Sequence, residues 1–483
     1  MTALSFRSAT ELAALMQRKE ISSEELTRHY IERIEKHDAA VNSVVVRRFE
    51  QAIDEARDAD KRIADGQSMG PLEGLPMTIK ESYVIADTPS TWGHEQFRNN
   101  MGKADGLAVS RFRSAGAHFL GKTNVPVDLA DFQSYNPVYG TTGNPWDTSR
   151  TPGGSSGGSA AALAAGFTGL EAGSDIGGSI RNPAHFCGVY GHKPSWGIVP
   201  MQGHELAAHT PEPDLAVCGP LARSAADLHT ALDIMAGPAE REATGWQLNL
   251  PAADIAKLSS LRVAVWQDDT LAPVDSEVAD RVNLVAETLG RLGATVSDTA
   301  RPDFDIKRAH VAYLSLLNSI MSAGASEEQV AKNQAFADQF GDEDSSDRAV
   351  NSRAMVLSHR LWLRQNAVRE HWRYAWDDFF KDWDILVCPQ MATPAFPHDH
   401  RPFGERTLTV NNEQQDYFKQ LFWSGLITGA YLPSTVFPTG PSSAGLPIGL
   451  QAVSAPYRDH RTIEFTHLLS KEIGGFQPPP SFP

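Results

Sequence analysis

Cysteine, basic residues and long apolar runs are all scarce in this sequence, and each shortage excludes something. Cys187, Cys218 and Cys388 are the only cysteines in 483 residues. They lie too far apart for a disulfide framework or a C-x-x-C metal site, so buried thiols in a reducing compartment are expected. Acidic residues outnumber basic ones by 59 to 43, for a net charge of −16. Phosphate binding needs clustered Lys and Arg, which disfavours nucleic acid as the main partner unless a local basic patch forms. No apolar run reaches the roughly 18 residues of a membrane span. The opening Met1-Thr2-Ala3-Leu4-Ser5-Phe6 lacks the basic and apolar regions of a signal peptide. A cytoplasmic soluble enzyme is the default expectation.

A hydrophobic fraction of 41% supplies a sizeable core, and a charged fraction of 21% argues against disorder. Ser22-Ser23-Glu24-Glu25 fits a helix capping box, followed by Leu26, Tyr30, Ile31 and Ile34 at helical spacing. A second helical stretch is expected over residues 43–64. Gly74-Leu75-Pro76-Met77-Thr78-Ile79-Lys80 reads as a turn and a short strand ending in lysine. Helix and strand patterns then alternate to residue 235, which indicates an α/β sheet with helices on its faces. Residues 117–121, 261–265, 294–296, 384–389 and 447–453 have strand character. Val278, Val282, Val285, Leu289 and Leu292 mark a helix that Gly293 is placed to end. Residues 303–375 read as helical and aromatic-rich, interrupted by a solvated acidic loop at 341–347.

The most informative stretch is Gly153-Gly154-Ser155-Ser156-Gly157-Gly158-Ser159, followed by Gly173-Ser174-Asp175-Ile176-Gly177-Gly178-Ser179-Ile180-Arg181-Asn182-Pro183. Glycines let backbone N–H groups approach a ligand closely, so a serine ending such a run can sit beside its own oxyanion hole. The N–H groups of Ile176, Gly177, Gly178 and Ser179 are candidates for it, and one such donor is worth about 3–4 kcal/mol in acyl transfer. Two G-x-S-x-G matches suggest a nucleophile elbow, but the preceding Thr148-Ser149-Arg150-Thr151-Pro152 is loop-like rather than a strand. A phosphate loop would need a terminal G-K-[ST], which is missing. A flexible linker fits poorly with the apolar flanks and the second Gly-Gly-Ser.

These residues resemble the amidase signature family. The likeness continues through Phe186-Cys187-Gly188-Val189-Tyr190-Gly191-His192-Lys193-Pro194, and through the weaker flanking blocks Gly121-Lys122-Thr123-Asn124, Asn144-Pro145-Trp146, Gly219-Pro220-Leu221-Ala222-Arg223 and Gly445-Leu446-Pro447-Ile448-Gly449-Leu450-Gln451. The resemblance implies a single α/β/α sandwich domain with a large mixed β-sheet over residues 1–483. Within it, N-terminal helices occupy 1–65, a catalytic core 66–235, a linker-like excursion 236–260, and the rest of the sheet with a helical pocket region 261–483. It also implies amide hydrolysis or transfer without a metal or organic cofactor. The family's lysine falls on Lys80, its bridging serine on Ser155, in a cis peptide, and its nucleophile on Ser179, at the spacing the family pattern expects. Glu81 stands where the family often has Asp.

A serine nucleophile needs a base, and a lysine serves only when neutral, which burial favours. The apolar approach to Lys80 is consistent with burial. Asp175 and Arg181 are expected to support the glycine turn, the alternative for Arg181 being a substrate carboxylate. Leu129, Ala130 and Asp131 fall where the family's pocket wall lies and are candidate substrate contacts. His185 and His192 leave a Ser-His-Asp arrangement as an alternative. Trp92, Tyr135 and aromatics such as Tyr313 are core or pocket-lining. The expected function is a free-standing amidase acting on small or aryl carboxamides. The rivals are the glutaminase subunit of a tRNA-dependent amidotransferase and a catalytically inactive binding protein. The expected partner is a small-molecule amide, with no nucleic acid and no membrane, and a homodimer is left open.

Overall fold

In the computed structural model the described residues are 4–207, 210–341 and 343–482. Met1, Thr2 and Ala3 of the opening segment, and Asp342 of the acidic loop, lie outside them. The strands in chain order are β1 Val44–Arg47, β2 Pro76–Lys80, β3 His118–Thr123, β4 Tyr135–Asn136, β5 Gly140–Thr141, β6 Glu171–Asp175, β7 Tyr190–Lys193, β8 Val217–Ala222, β9 Arg262–Val265, β10 Thr295–Ser297, β11 Ile385–Pro389, β12 Thr407–Val410, β13 Glu413–Asp416, β14 Ser434–Pro441 and β15 Pro447–Val453. Eight of them form one mixed sheet in the order β10-β9-β11-β15-β14-β7-β8-β6. The β10-β9-β11 end is parallel and the remaining pairs are antiparallel. Helices flank this sheet, giving the α/β/α sandwich.

The lysine strand belongs to a separate three-stranded sheet of order β1-β3-β2. β2 runs parallel to β3, and β1 antiparallel to it. All five residues of β2 are buried, and the strand lies beside β6 of the large sheet. Lys80 thereby ends at the seam between the two sheets.

The N-terminal helix Ser23–Val41 starts at the expected capping box, with Glu25 N–H donating to Ser22 Oγ and Ser22 N–H to the Glu25 carboxylate. Leu26, Tyr30, Ile31 and Ile34 are all buried. Burial of each such side chain stabilises the fold by roughly 1.5–3 kcal/mol. The stretch 43–64 is not all helix. Val44–Arg47 is strand and the helix is Phe49–Ala64. Three consecutive valines are stiff at χ1 and fit a pleated sheet better than a helix, which accounts for the difference. The helix Ser276–Arg291 ends just before Gly293, whose φ is +92°. The aromatic-rich region contains the helices Ile306–Met321, Glu327–Ala337, Asp347–Ala354 and His359–Asp382. One hydrophobic cluster draws on residues from Phe6 to Phe482. All three cysteines are buried and free. Among the described residues no helix is long and apolar enough to cross a membrane.

Candidate active site

Three segments bring the site together. β2 carries Lys80 at its last position. The turn before the helix Gly157–Ala164 carries Ser155 after a cis Gly154–Ser155 peptide. The turn between β6 and the helix Arg181–Cys187 carries Ser179. The Ser156 N–H donates to the Ser179 carbonyl at 3.1 Å, which lays the two serine turns side by side.

Lys80 is fully buried, and its Nζ lies 2.7 Å from Ser155 Oγ, 2.9 Å from Ser174 Oγ and 3.5 Å from the Ser174 carbonyl. Three such neighbours can be served by an ammonium with three protons, or by a neutral amine with two protons and a lone pair that accepts from a hydroxyl. Burial lowers the Lys80 pKa from 10.5 to about 7. The nearby acids do little to restore the charge. Burial pushes the Cys218 thiol up to about 12 and the Glu171 carboxyl up to about 8, so both are mainly protonated at pH 7. Glu171 shares a hydrogen bond of 2.6 Å with Thr78 Oγ1.

The third acid, Asp175, is already paired. Its carboxylate accepts from Arg181 Nη2 at 2.9 Å and Nε at 3.0 Å, with both side chains fully buried. Burial would raise the Asp175 pKa, but the charge and hydrogen bonds of Arg181, with Lys193 and the Ile180 N–H, hold it below the ordinary value. The other Arg181 donors reach Gln451 Oε1 at 3.0 Å and Thr428 Oγ1 at 2.7 Å. Every nitrogen of the guanidinium has a protein partner, so this geometry does not favour a substrate carboxylate on Arg181.

Asp175 also accepts backbone N–H groups from Gly178 at 2.9 Å and Ile180 at 3.0 Å. The Gly178 N–H is therefore engaged. The expected set of four oxyanion donors reduces to Ile176, Gly177 and Ser179, none of which donates to a side chain among the described residues. Gly178 itself has φ +108°, and a Cβ there would stand 2.4 Å from Ser424 Oγ and 2.8 Å from Gln390 Nε2. Only glycine fits that position.

Ser179 is 8% exposed, against 1% for Ser155 and none for Lys80, so it is the outermost of the three. No hydrogen bond joins the Ser155 and Ser179 hydroxyls among the described residues. The turns are held by Asn182 instead. Its Oδ1 accepts the Gly154 N–H at 3.0 Å, and its Nδ2 donates to the Gly154 carbonyl and, at 3.0 Å, to the Gly178 carbonyl. One amide side chain thus ties the Ser155 turn to the Ser179 turn.

The segment with Leu129, Ala130 and Asp131 borders the site through its backbone. The Asp131 carbonyl lies 2.3 Å from where a Cβ on Gly154 would stand. The Asp131 side chain is not an open substrate contact, contrary to expectation. Its carboxylate is buried and accepts from Arg406 Nη1 at 2.7 Å and Tyr417 Oη at 2.6 Å. Burial raises the Asp131 pKa in spite of those two bonds. Leu129 and Ala130 are half-buried, and Leu129 has a left-handed φ of +57°. Neither histidine is open to Ser179. The His185 ring sits between the Gly449 and Thr393 carbonyls, and the His192 ring between Thr435 Oγ1 and Asp459. Trp92 packs on His204, and Tyr135 stacks on His400. Tyr313 Oη donates to the Ile176 carbonyl at 3.0 Å.

Sequence reasoning gave no role to Ser174, Glu171, Asn182, Gln390 or Ser424. Ser174 was within reach, because it precedes Asp175 on a strand that the glycine motif already marked. Gln390 and Ser424 come from distant segments, and Gln390 Oε1 is buried without a partner among the described residues. A surface cleft of about 1020 Å³ lined by Phe304, Arg308, Val311, Arg364 and Trp372 includes none of the serine–lysine residues.

The Amidase family model matches residues 25–463. The chain belongs to this family, the amidase signature enzymes, and is a hydrolase of amide C–N bonds. It is 31% identical to a glutamyl-tRNA(Gln) amidotransferase subunit of Gloeothece citriformis, over 99% of each chain. It is 30% identical to fatty-acid amide hydrolase 2 of Homo sapiens, over 98% of this chain and 90% of that one. Among solved structures, it superposes with a TM-score of 0.82 and 27% identity on a chain of an inhibitor-bound vestigial protein complex that bears on the origins of an s-triazine catabolic enzyme. That match covers 98% of this chain and 100% of the other.

Proposed function

We propose that the protein is a free-standing amidase acting on small or aryl carboxamides through a Ser179 acyl-enzyme. Lys80 is the base and Ser155 carries the proton. Neutral Lys80 takes the Ser155 proton as Ser155 takes that of Ser179, and the Ser179 oxygen attacks the amide carbonyl. The N–H groups of Ile176, Gly177 and Ser179 receive the oxyanion. The proton returns through Ser155 to the leaving nitrogen, and water repeats the sequence on the acyl-enzyme. In the resting geometry the two serine hydroxyls are not bonded to each other, so that hydrogen bond forms before the attack step. Asp175 and Arg181 hold the turn. The single observation that carries this reading is the buried Lys80 amine 2.7 Å from Ser155 Oγ, with no unpaired anion beside it.

The choice of substrate class rests on charge. In both arginines near the site each guanidinium nitrogen already has a protein partner, Arg181 as described and Arg406 through Asp131, Tyr135 Oη and the Arg401 carbonyl. A neutral amide meets no missing partner there, whereas the α-carboxylate of glutamine would need a free cation. Near Gly177 lies the Leu421 side chain, its Cδ2 3.0 Å from where a Cβ would stand, which suits an apolar acyl group. The glutaminase reading retains one specific support, the likeness to an amidotransferase polypeptide over nearly the whole chain. Ammonia or amine release from glutamine, aliphatic amides and anilides, with and without the other amidotransferase polypeptides, separates the two. Turnover of anilides or aliphatic amides by the chain alone supports the proposal. Turnover confined to glutamine in the presence of partners overturns it.

A further inference from the structure

Away from the serine–lysine cluster, the described residues bring together one group of side chains able to hold a metal ion, His229, Asp233 and His460. His229 and Asp233 sit one turn apart on the helix Ala225–Met235, and so on one face of it. His460 is the second residue of the helix Asp459–Ile473, which packs against the first. Asp233 Oδ1 lies 2.8 Å from His460 Nε2, and Asp233 Oδ2 lies 3.3 Å from His229 Nδ1. The two imidazoles stack with centroids 4.3 Å apart and planes 14° from parallel.

The far side of His460 gives the arrangement its direction. Its Nδ1 faces the Pro251 carbonyl at 3.2 Å. A carbonyl only accepts, so Nδ1 carries a proton and Nε2 is the nitrogen left to face Asp233, at 2.8 Å. Ligating histidines are commonly oriented in this way, by donating the other N–H to a carbonyl. A proton on Nε2 bridges His460 to Asp233 at this distance, and a metal ion would take that proton's place. The side chains of His229 and Asp233 are 42% and 52% exposed, which leaves room for water to complete a coordination sphere.

We propose that His229 Nδ1, the Asp233 carboxylate and His460 Nε2 bind one divalent transition-metal ion, Zn²⁺ rather than Mg²⁺. Two imidazole nitrogens and one carboxylate suit a borderline ion, whereas Mg²⁺ prefers all-oxygen octahedral surroundings. Zinc bonds near 2.0–2.1 Å set ligand–ligand edges of about 3.4 Å. The three ligand atoms already lie within 4.8 Å of one another; an imidazole binds an ion in its ring plane, so the exposed His229 turns out of its stack on His460 to complete the fit. The ion displaces any proton shared by the cluster. It clips the helix that follows β8 to the C-terminal helix, which is a structural role separate from amide chemistry.

The test is equilibrium dialysis of the full chain against micromolar Zn²⁺, with and without excess Mg²⁺, for wild type, His229→Ala and Asp233→Asn. Both substitutions are at exposed positions, and unchanged amide turnover verifies that each variant is folded. The expected result is one Zn²⁺ per wild-type chain, no displacement by Mg²⁺, and an affinity loss of about tenfold or more in each variant. Equal binding by wild type and both variants, displacement by Mg²⁺, or no binding by wild type overturns the proposal.

Discussion

Lys80 and Arg181 are both cations buried around the same glycine turns, and their surroundings treat them in opposite ways. Arg181 is given a full set of partners: a carboxylate gripped by two nitrogens, an amide oxygen and a hydroxyl. Its charge stays in the interior because each part of it is matched. Lys80 is given hydroxyls and a carbonyl but no free anion. Desolvation then prevails, and its pKa falls to about 7. On the proposed mechanism, a charge needed for architecture is paired, whereas the group proposed as base is left unpaired so that it gives up its proton at working pH.

Exchanging each cation for an apolar side chain of similar length separates the two roles. Lys80→Met is expected to lower amide turnover by about 10³- to 10⁴-fold, while denaturant unfolding shifts by no more than about 1 kcal/mol. Arg181→Met strands the Asp175 carboxylate in the interior and is expected to cost about 3–5 kcal/mol of stability by the same measurement. Equal stability losses in the two variants would erase the distinction. A finer probe is Asn182→Ala, which leaves both cations in place and removes the tie between the serine turns. Three lost buried hydrogen bonds predict a fall in kcat of about 10- to 100-fold with little change in KM. A change in KM alone would assign Asn182 to substrate binding. The smallest effect is expected from Glu171→Gln. The acid is mainly protonated at pH 7, so the amide is nearly isosteric with it, and turnover at pH 7 should stay within about threefold of wild type.

How much of this is legible in the sequence follows from how local each feature is. Lys80, Ser155 and Ser179 stand in contiguous motifs, and the capping box at Ser22 and Glu25 is written within four residues. The β2, β9, β11 and β15 strands have short apolar runs that identify them. The ion pair of Asp131 with Arg406 spans 275 positions, and no pattern around either residue announces the other. Asp131 therefore reads as a pocket contact when its carboxylate is spent on structure. The use of the Gly178 N–H by Asp175 is hidden for a related reason, because a glycine run shows where donors cluster but not which acceptor claims each one. The strand Val44–Arg47 is concealed between two helices, although its three valines are a usable signal.

The claim on which the rest depends is that Lys80 acts as a neutral base at ordinary pH, and the pH dependence of kcat/KM tests it most directly. The unprotonated form is the active one, so the profile should rise with pH, reach half its maximum at about 7, and level off above. Glu171→Gln removes an acid whose charge raises the Lys80 pKa, so the midpoint should stay in place or fall slightly. A midpoint near the ordinary lysine value of 10.5, or one that rises on Glu171→Gln, would contradict the account.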